Sequence, residues 1–129
     1  MKETTLSEIK KRVPKPWGYE IWWARTDRYV GKILHVNKGE SLSLQYHNVK
    51  DETILMQSGL LLFETGEKGD PGPLKRLEMK PGDVFHITPG TLHRMTALED
   101  SDLVEVSTPE TDDVVRLEDR YGREGTTKP

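Results

Sequence analysis

The chain predicts an all-β fold, a single sandwich or barrel of short strands, and three observations carry that prediction. From Trp17 onward it is a series of short extended runs separated by Gly, Pro and Asp. No long helical period interrupts them. The length, 129 residues, is that of one domain with a real but lean core.

The elements follow in order. Residues 1–14 read as an N-terminal arm, in which Leu6, Ile9 and Val13 are spaced for a short amphipathic helix; an irregular arm fits the same residues. Residues 15–123 read as the barrel. Its candidate strands are YEIWWA, RYVGKILHV, SLSLQYH, TILMQS, LLLFE, LKRLEM, DVFHIT, LHRMTA and DLVEVS. Turn signals separate them: NKGE, SGL, GEKGDPGP, KPGD, TPGT and LEDSD. The glycines and prolines of TGEKGDPGPLK predict an exposed hairpin loop. The stretch TDDVVRLEDRYGREGTTKP is compatible with a helical turn or an edge strand, and residues 124–129 read as a loose tail.

Composition narrows the function. Charged residues make up 32% of the chain with a net charge of only -3, whereas phosphate-backbone binding needs a basic surplus, so nucleic acid is not the expected partner. There is no cysteine, which excludes disulfides and thiolate metal sites. The N-terminal stretch has no apolar core of a secretory signal and no run approaches a membrane span, so the expected location is the cytoplasm.

The stretch SLSLQYHNVKDETILMQSG, Ser41 to Gly59, carries the chemistry. In a strand, side chains alternate between faces, which sets Leu42, Leu44 and Tyr46 on one side and Ser41, Ser43, Gln45 and His47 on the other. If residues 48–51 connect two antiparallel strands, Glu52 returns to the level of His47. An amide, an imidazole and a carboxylate then converge. A buried carboxylate beside an imidazole is costly unless paired or metal-bound. Nitrogen and oxygen donors without sulfur suit Zn, Mn, Fe, Co or Ni. The best candidate for a fourth ligand is His93, which begins a strand after the Pro89-Gly90 turn in PGDVFHITPGTLHRM.

These spacings resemble the two cupin motifs. Gly39 to Gly59 follows G-x5-H-x-H-x4-E-x6-G with Gln45 in place of the first His. Gly82 to His93 follows G-x5-P-x-G-x2-H with Thr88 in place of the Pro, and Ala97 stands where that motif often ends in Asn. The resemblance implies a small antiparallel double-sheet jelly-roll barrel. Gln-x-His with a downstream Glu, Pro16-Trp17-Gly18 and the tail from Asp112 or Asp113 to Arg123 resemble more narrowly the C-terminal cupin domain of type II phosphomannose isomerases. The chain departs from that pattern at HNVK and at Glu52-Thr53-Ile54, which changes the pocket wall but keeps four polar donors.

The resemblance implies a metal-dependent isomerase of a sugar or sugar phosphate, with mannose 6-phosphate and fructose 6-phosphate leading. The metal ligands would be Gln45, His47, Glu52 and His93, and zinc the leading ion. Arg116 and Glu118 in the tail are the candidates for catalysis. The base is Glu118 or His86, and Arg116 and Arg123 suit a phosphate. Other residues have plainer readings: His35 as a structural histidine, and Trp17, Trp22 and Trp23 as core or interface packing. The family resemblance also implies a homodimer, with EIWWA as part of its surface. Two competing functions stay open: a cupin of another class, such as a sugar epimerase or a metal dioxygenase, and a sugar-binding module without turnover.

Overall fold

Period-two alternation runs through the ordered segments of the computed structural model, which describes residues 6 and 8–126. Among those residues it yields twelve strands and no helix. In chain order they are β1 (Lys11–Lys15), β2 (Gly18–Arg25), β3 (Val30–Val36), β4 (Leu44–Tyr46), β5 (Glu52–Ser58) and β6 (Leu61–Glu67), then β7 (Lys75–Met79), β8 (Val84–Ile87), β9 (Thr91–Ala97), β10 (Ser101–Ser107), β11 (Val115–Glu118) and β12 (Gly125–Thr126). They form two six-stranded antiparallel sheets. The first has the order β1-β2-β3-β10-β5-β8, the second β12-β11-β4-β9-β6-β7. The nine expected strands are all present as β2 to β10, and two sheets facing each other are the jelly roll the motifs implied.

The core lies between the sheets. Leu34, Val36, Ile54, Met56 and Leu103 face inward from the first, and Leu61, Phe63, Met79, Met95 and Ala97 from the second. Burying one such side chain stabilises the fold by roughly 1.5–3 kcal/mol. Phe63 meets Phe85 at a ring-centroid distance of 4.5 Å, which closes the core between β6 and β8. Gly59 turns β5 into β6 with φ of 91°, and a Cβ there would stand 2.3 Å from the Asp100 carbonyl oxygen, so only glycine fits.

Two segments differ from expectation, and the structure decides between the alternatives for a third. The helix drawn on Leu6, Ile9 and Val13 does not form where the chain is described: Lys11–Lys15 pair with β2 as an edge strand, Ile9 is exposed, and residues 1–5 and 7 lie outside the described residues. Pro14 explains the outcome, since it cannot donate a helical hydrogen bond but is tolerated on a sheet edge. In the tail, the edge-strand alternative holds: β11 pairs with β4, and Gly125–Thr126 add a short partner. Residues 127–129 lie outside the described residues. Leu42, assigned to the face opposite Gln45 and His47, packs in the core beside them, because residues 42–43 leave regular strand geometry between the Ser41 bridge and β4.

Candidate metal centre

The four donors come from both sheets. Gln45 in β4 lies directly across from His93 in β9, and Arg116 in β11 lies across from Gln45 on its other side. His47 follows the end of β4. Glu52 opens β5 in the opposite sheet, paired with Ile87 and Ser107. The two motifs are tied by one backbone bond, from the Gly90 N–H to the His47 carbonyl at 2.8 Å.

His47, Glu52 and His93 are fully buried, and their ligand atoms all lie within 4.8 Å of one another. His47 Nε2 is 3.0 Å and His93 Nε2 3.5 Å from the same oxygen, Glu52 Oε1. Gln45 Nε2 is 3.4 Å from His93 Nε2, and its Oε1 accepts from the Ser43 hydroxyl at 2.6 Å.

The other ring nitrogens are committed. His47 Nδ1 lies 2.6 Å from the Asp113 carbonyl oxygen and His93 Nδ1 3.0 Å from that of Thr91. A carbonyl oxygen can only accept, so each Nδ1 carries a proton, which leaves Nε2 as the atom that each ring can offer to a metal. Burial pushes the His93 imidazole down to about 4, so at neutral pH this ring is uncharged. Burial would raise the Glu52 carboxyl, but Lys50 and the two histidines outweigh it and hold it well below the usual range. As neutral ligands the two rings would present their Nε2 lone pairs to the point that Glu52 Oε1 also faces, an arrangement that a cation stabilises. The donor set therefore fits a divalent ion with nitrogen and oxygen ligands, and carbonyl bonds behind metal-binding histidines are the support such sites use.

A shell of charge surrounds this set. Lys50 is buried with its ammonium 3.2 Å from both Glu52 Oε2 and Glu105 Oε2. Burial opposes the charge on Lys50, and the two carboxylates more than reverse that, raising its pKa. Burial and the neighbouring Glu52 push Glu105 up. Farther along the same wall Lys32 Nζ is 3.4 Å from Glu20 Oε1, which also accepts from the Trp22 indole at 2.9 Å. Lys15, Arg116 and Arg123 add cations to the cavity lining. The space beside the donors is about 60 Å³.

The tail holds the first motif in place. The Asp113 carboxylate accepts from the backbone N–H groups of Asn48, Val49 and Lys50 at 3.0, 2.6 and 2.8 Å, while its carbonyl orients His47. Tyr121 donates to the Glu40 carboxylate, and Arg120 Nη1 donates to the Gly39 carbonyl at 2.6 Å. Arg123 pairs with Asp119 at 2.9 Å.

Of the sequence candidates, Gln45, His47, Glu52 and His93 are brought together, and Arg116 lines their cavity. Glu118 and His86 are not. A β-bulge between Arg116 and Glu118 breaks the alternation that would have kept them on one side, and Glu118 bonds Arg94 Nη1 at 3.0 Å with its carboxylate exposed. His86 alternates with the inward Phe85 and Ile87, so it points outward, 2.7 Å from Asp51. His35 is structural as expected, 2.7 Å from Asp102 and stacked on Tyr19. Sequence reasoning missed Glu20, Lys32, Lys50, Glu105 and Asp113. A signal existed for two of them: Lys32 and Glu105 stand in phase with Leu34 and Leu103, charges in core positions of their strands.

Known proteins agree with this architecture. The chain is 34% identical over 123 residues to mannose-1-phosphate guanylyltransferase of Escherichia coli (strain K12), an alignment covering 89% of this chain and 24% of that protein. It is 35% identical to ManC, the mannose-1-phosphate guanylyltransferase of Salmonella typhimurium, again over 89% of this chain and 24% of the relative. The chain thus spans about a quarter of the length of these curated relatives. Among solved structures, the capsular polysaccharide assembling protein CapF from Staphylococcus aureus superposes with a TM-score of 0.72 at 20% identity, over 88% of this chain and 32% of that one. KdgF from Halomonas sp. superposes with a TM-score of 0.63 at 21% identity, over 82% of this chain and 89% of that one. At such identities the structural likeness establishes the fold alone. The cupin domain family matches residues 32–108, a span that runs from β3 through β10 and contains all four donors. Two facing antiparallel sheets, two motifs meeting at one buried donor set and that match together place the chain in the cupin family.

Proposed function

We propose that the chain is a metal-dependent isomerase interconverting an aldose and a ketose, with mannose 6-phosphate and fructose 6-phosphate as the leading substrate pair. The observation that carries the reading is the donor set: two buried imidazoles with Nε2 turned inward and one buried, ionised carboxylate, with the half-buried amide of Gln45 beside them. Gln45, His47, Glu52 and His93 would hold the ion, zinc first and Mn, Fe, Co or Ni after it. The ion, when bound, polarises the carbonyl and hydroxyl oxygens of adjacent sugar carbons.

The chain's own residues do the rest. Of the four, only the Glu52 carboxylate would bring a negative charge to a bound ion, which would leave most of the ion's charge for substrate oxygens. Lys50 occupies the second oxygen of Glu52, which leaves Oε1 directed at the histidines. Lys15, Arg116 and Arg123 make one side of the cavity cationic and suit a phosphate or the developing negative charge of an enediol. Arg116 is the catalytic candidate that lines the cavity; His86 and Glu118 lie outside it and are given no step. The curated relatives' name, which includes a mannose phosphate, supports the substrate class.

One observation favours a second reading, a sugar-binding module without turnover: His86 and Glu118, the two candidate bases, are turned to outer faces and pair with Asp51 and Arg94 instead. One experiment separates the two. The purified chain is stripped with a chelator, reloaded with zinc or manganese, and incubated with mannose 6-phosphate while fructose 6-phosphate is followed by NMR. The isomerase reading expects conversion that disappears on stripping and returns on reloading. Binding without conversion, with the ion stoichiometrically bound and a panel of hexose phosphates tested, would leave the binding module standing. Redox-active iron in the native protein together with oxygen uptake would move it to the dioxygenases.

A further inference from the structure

The inner wall of the first sheet carries a row of alternating charge that starts at Glu52 in the donor set. Glu52 meets Lys50, and Lys50 meets Glu105, both at 3.2 Å. Glu105 stands opposite Lys32 in the register of β10 and β3. Lys32 reaches Glu20 of β2 at 3.4 Å, and there the row ends. Each charge inside the row lies between two of opposite sign, which is how a buried charge is tolerated. Glu20 is the last member, and its side chain is only 10% exposed. Its two polar contacts, from the Trp22 indole at 2.9 Å and from Lys32, both go to Oε1. Oε2 has no bond to another described residue. A carboxylate oxygen can accept two hydrogen bonds, and a buried one without a donor is costly. Glu20 lines the same cavity as Gln45, His47, Glu52 and Arg116.

The charges around Oε2 select what it can bind. Burial would raise the Glu20 carboxyl, but Lys32 and Lys15 outweigh it and hold it below the usual range, so it is ionised at neutral pH. An anionic group of a ligand is repelled from it and is better placed against Arg116 and Arg123. A cationic group is repelled by Lys15 and Lys32. What fits is a neutral donor, and on a sugar that is a hydroxyl. The register also sets Glu20 apart from the reacting end. Glu20 pairs with Leu34, Leu34 with Leu103 and Leu103 with Met56, so Glu20 lies three strands across the sheet and four residues along it from Glu52. We propose that Glu20 Oε2 accepts a hydrogen bond from one hydroxyl of the sugar chain, at a carbon beyond the pair on which the ion acts, and that Glu20 is thereby a specificity-determining residue. This role rests on the sugar reading of the site and is the same whether the sugar is turned over or only held.

Calorimetric titration of the zinc-loaded chain with mannose 6-phosphate and its 3-deoxy, 4-deoxy and 5-deoxy analogues tests the assignment. One analogue should bind about 10- to 100-fold more weakly than the parent sugar, the loss expected when a hydrogen bond to an ionised group is removed. Glu20→Ala should weaken mannose 6-phosphate by about the same factor yet bind that one analogue within about twofold of the wild type, because the contact is already gone. If Glu20→Ala fails to fold, Glu20→Gln, which keeps the volume and the acceptor for Trp22, carries the same pattern with a loss of about fivefold or more. A wild type that binds the parent and all three analogues alike overturns the proposal. So does a variant that loses the same factor for all four ligands, which is what a merely structural Glu20 gives. If the wild type binds none of the four, the sugar reading itself fails and the role of Glu20 falls with it.

Discussion

Replacing Lys50 by methionine tests the charge arrangement around the donor set most directly. The ammonium lies 3.2 Å from one oxygen each of Glu52 and Glu105, and all three groups are buried. At an effective dielectric constant of about 20, each contact is worth roughly 5 kcal/mol of attraction before desolvation is counted. Keeping an ammonium out of water costs several kcal/mol. Methionine removes both sides of that balance but leaves two carboxylates facing each other without a counter-charge. Breaking a buried pair in this way typically costs about 3–5 kcal/mol, which for a domain of this size lowers the melting temperature by roughly 10–20 °C. The loss depends on pH with a definite sign. Glu105 is already held above the usual carboxylate range by burial and by Glu52, and removing Lys50 raises it further. The folded variant then keeps a proton that the unfolded chain has released, so its stability falls as pH rises. The deficit against the wild type should be larger at pH 8 than at pH 5. A divalent ion supplies the missing counter-charge to Glu52, so zinc should recover part of the loss. Melting curves by circular dichroism, in chelator and in zinc at both pH values, measure all of this. A Lys50→Met melting point within about 2 °C of wild type in chelator at pH 8 would refute the reasoning.

Further outcomes follow from the same geometry. Asp113→Ala leaves three backbone N–H groups of residues 48–50 without their acceptor and should cost about 2–3 kcal/mol in urea unfolding. The same change loosens the carbonyl behind His47, and competition with a coloured chelator should show zinc affinity about 10- to 100-fold lower. His93→Ala should lower zinc affinity by more than about 100-fold, whereas His86→Ala and Glu118→Gln, on outer faces, should change it by less than about twofold. Gly82→Ala meets no neighbour within 4 Å and should cost only about 1–2 kcal/mol for its positive φ. Gly59→Ala meets the Asp100 carbonyl at 2.3 Å and should cost well above that or prevent folding, read as soluble yield and melting temperature.

What the amino-acid order determined by itself is whatever depends on spacing within one segment. Alternation and turn residues set β2 to β10, and the intervals from Gly39 to Gly59 and from Gly82 to His93 picked out His47, Glu52 and His93, whose ligand atoms meet, and Gln45, whose Nε2 lies beside His93. Such features survive because a strand's side-chain period and a tight turn are local properties of the backbone. What only the tertiary structure decided is whatever depends on partners distant in the chain. Pairing with β2 made Lys11–Lys15 a strand where local spacing allowed a helix. A bulge opposite β4 turned Glu118 away from the cavity that Arg116 faces. Lys50 and Glu105, 55 positions apart, became one buried ion pair, and Asp113 became the support of a histidine 66 positions before it. A charge in the interior is tolerated only where another strand delivers its counter-charge, and which strand that is depends on the order of the sheet.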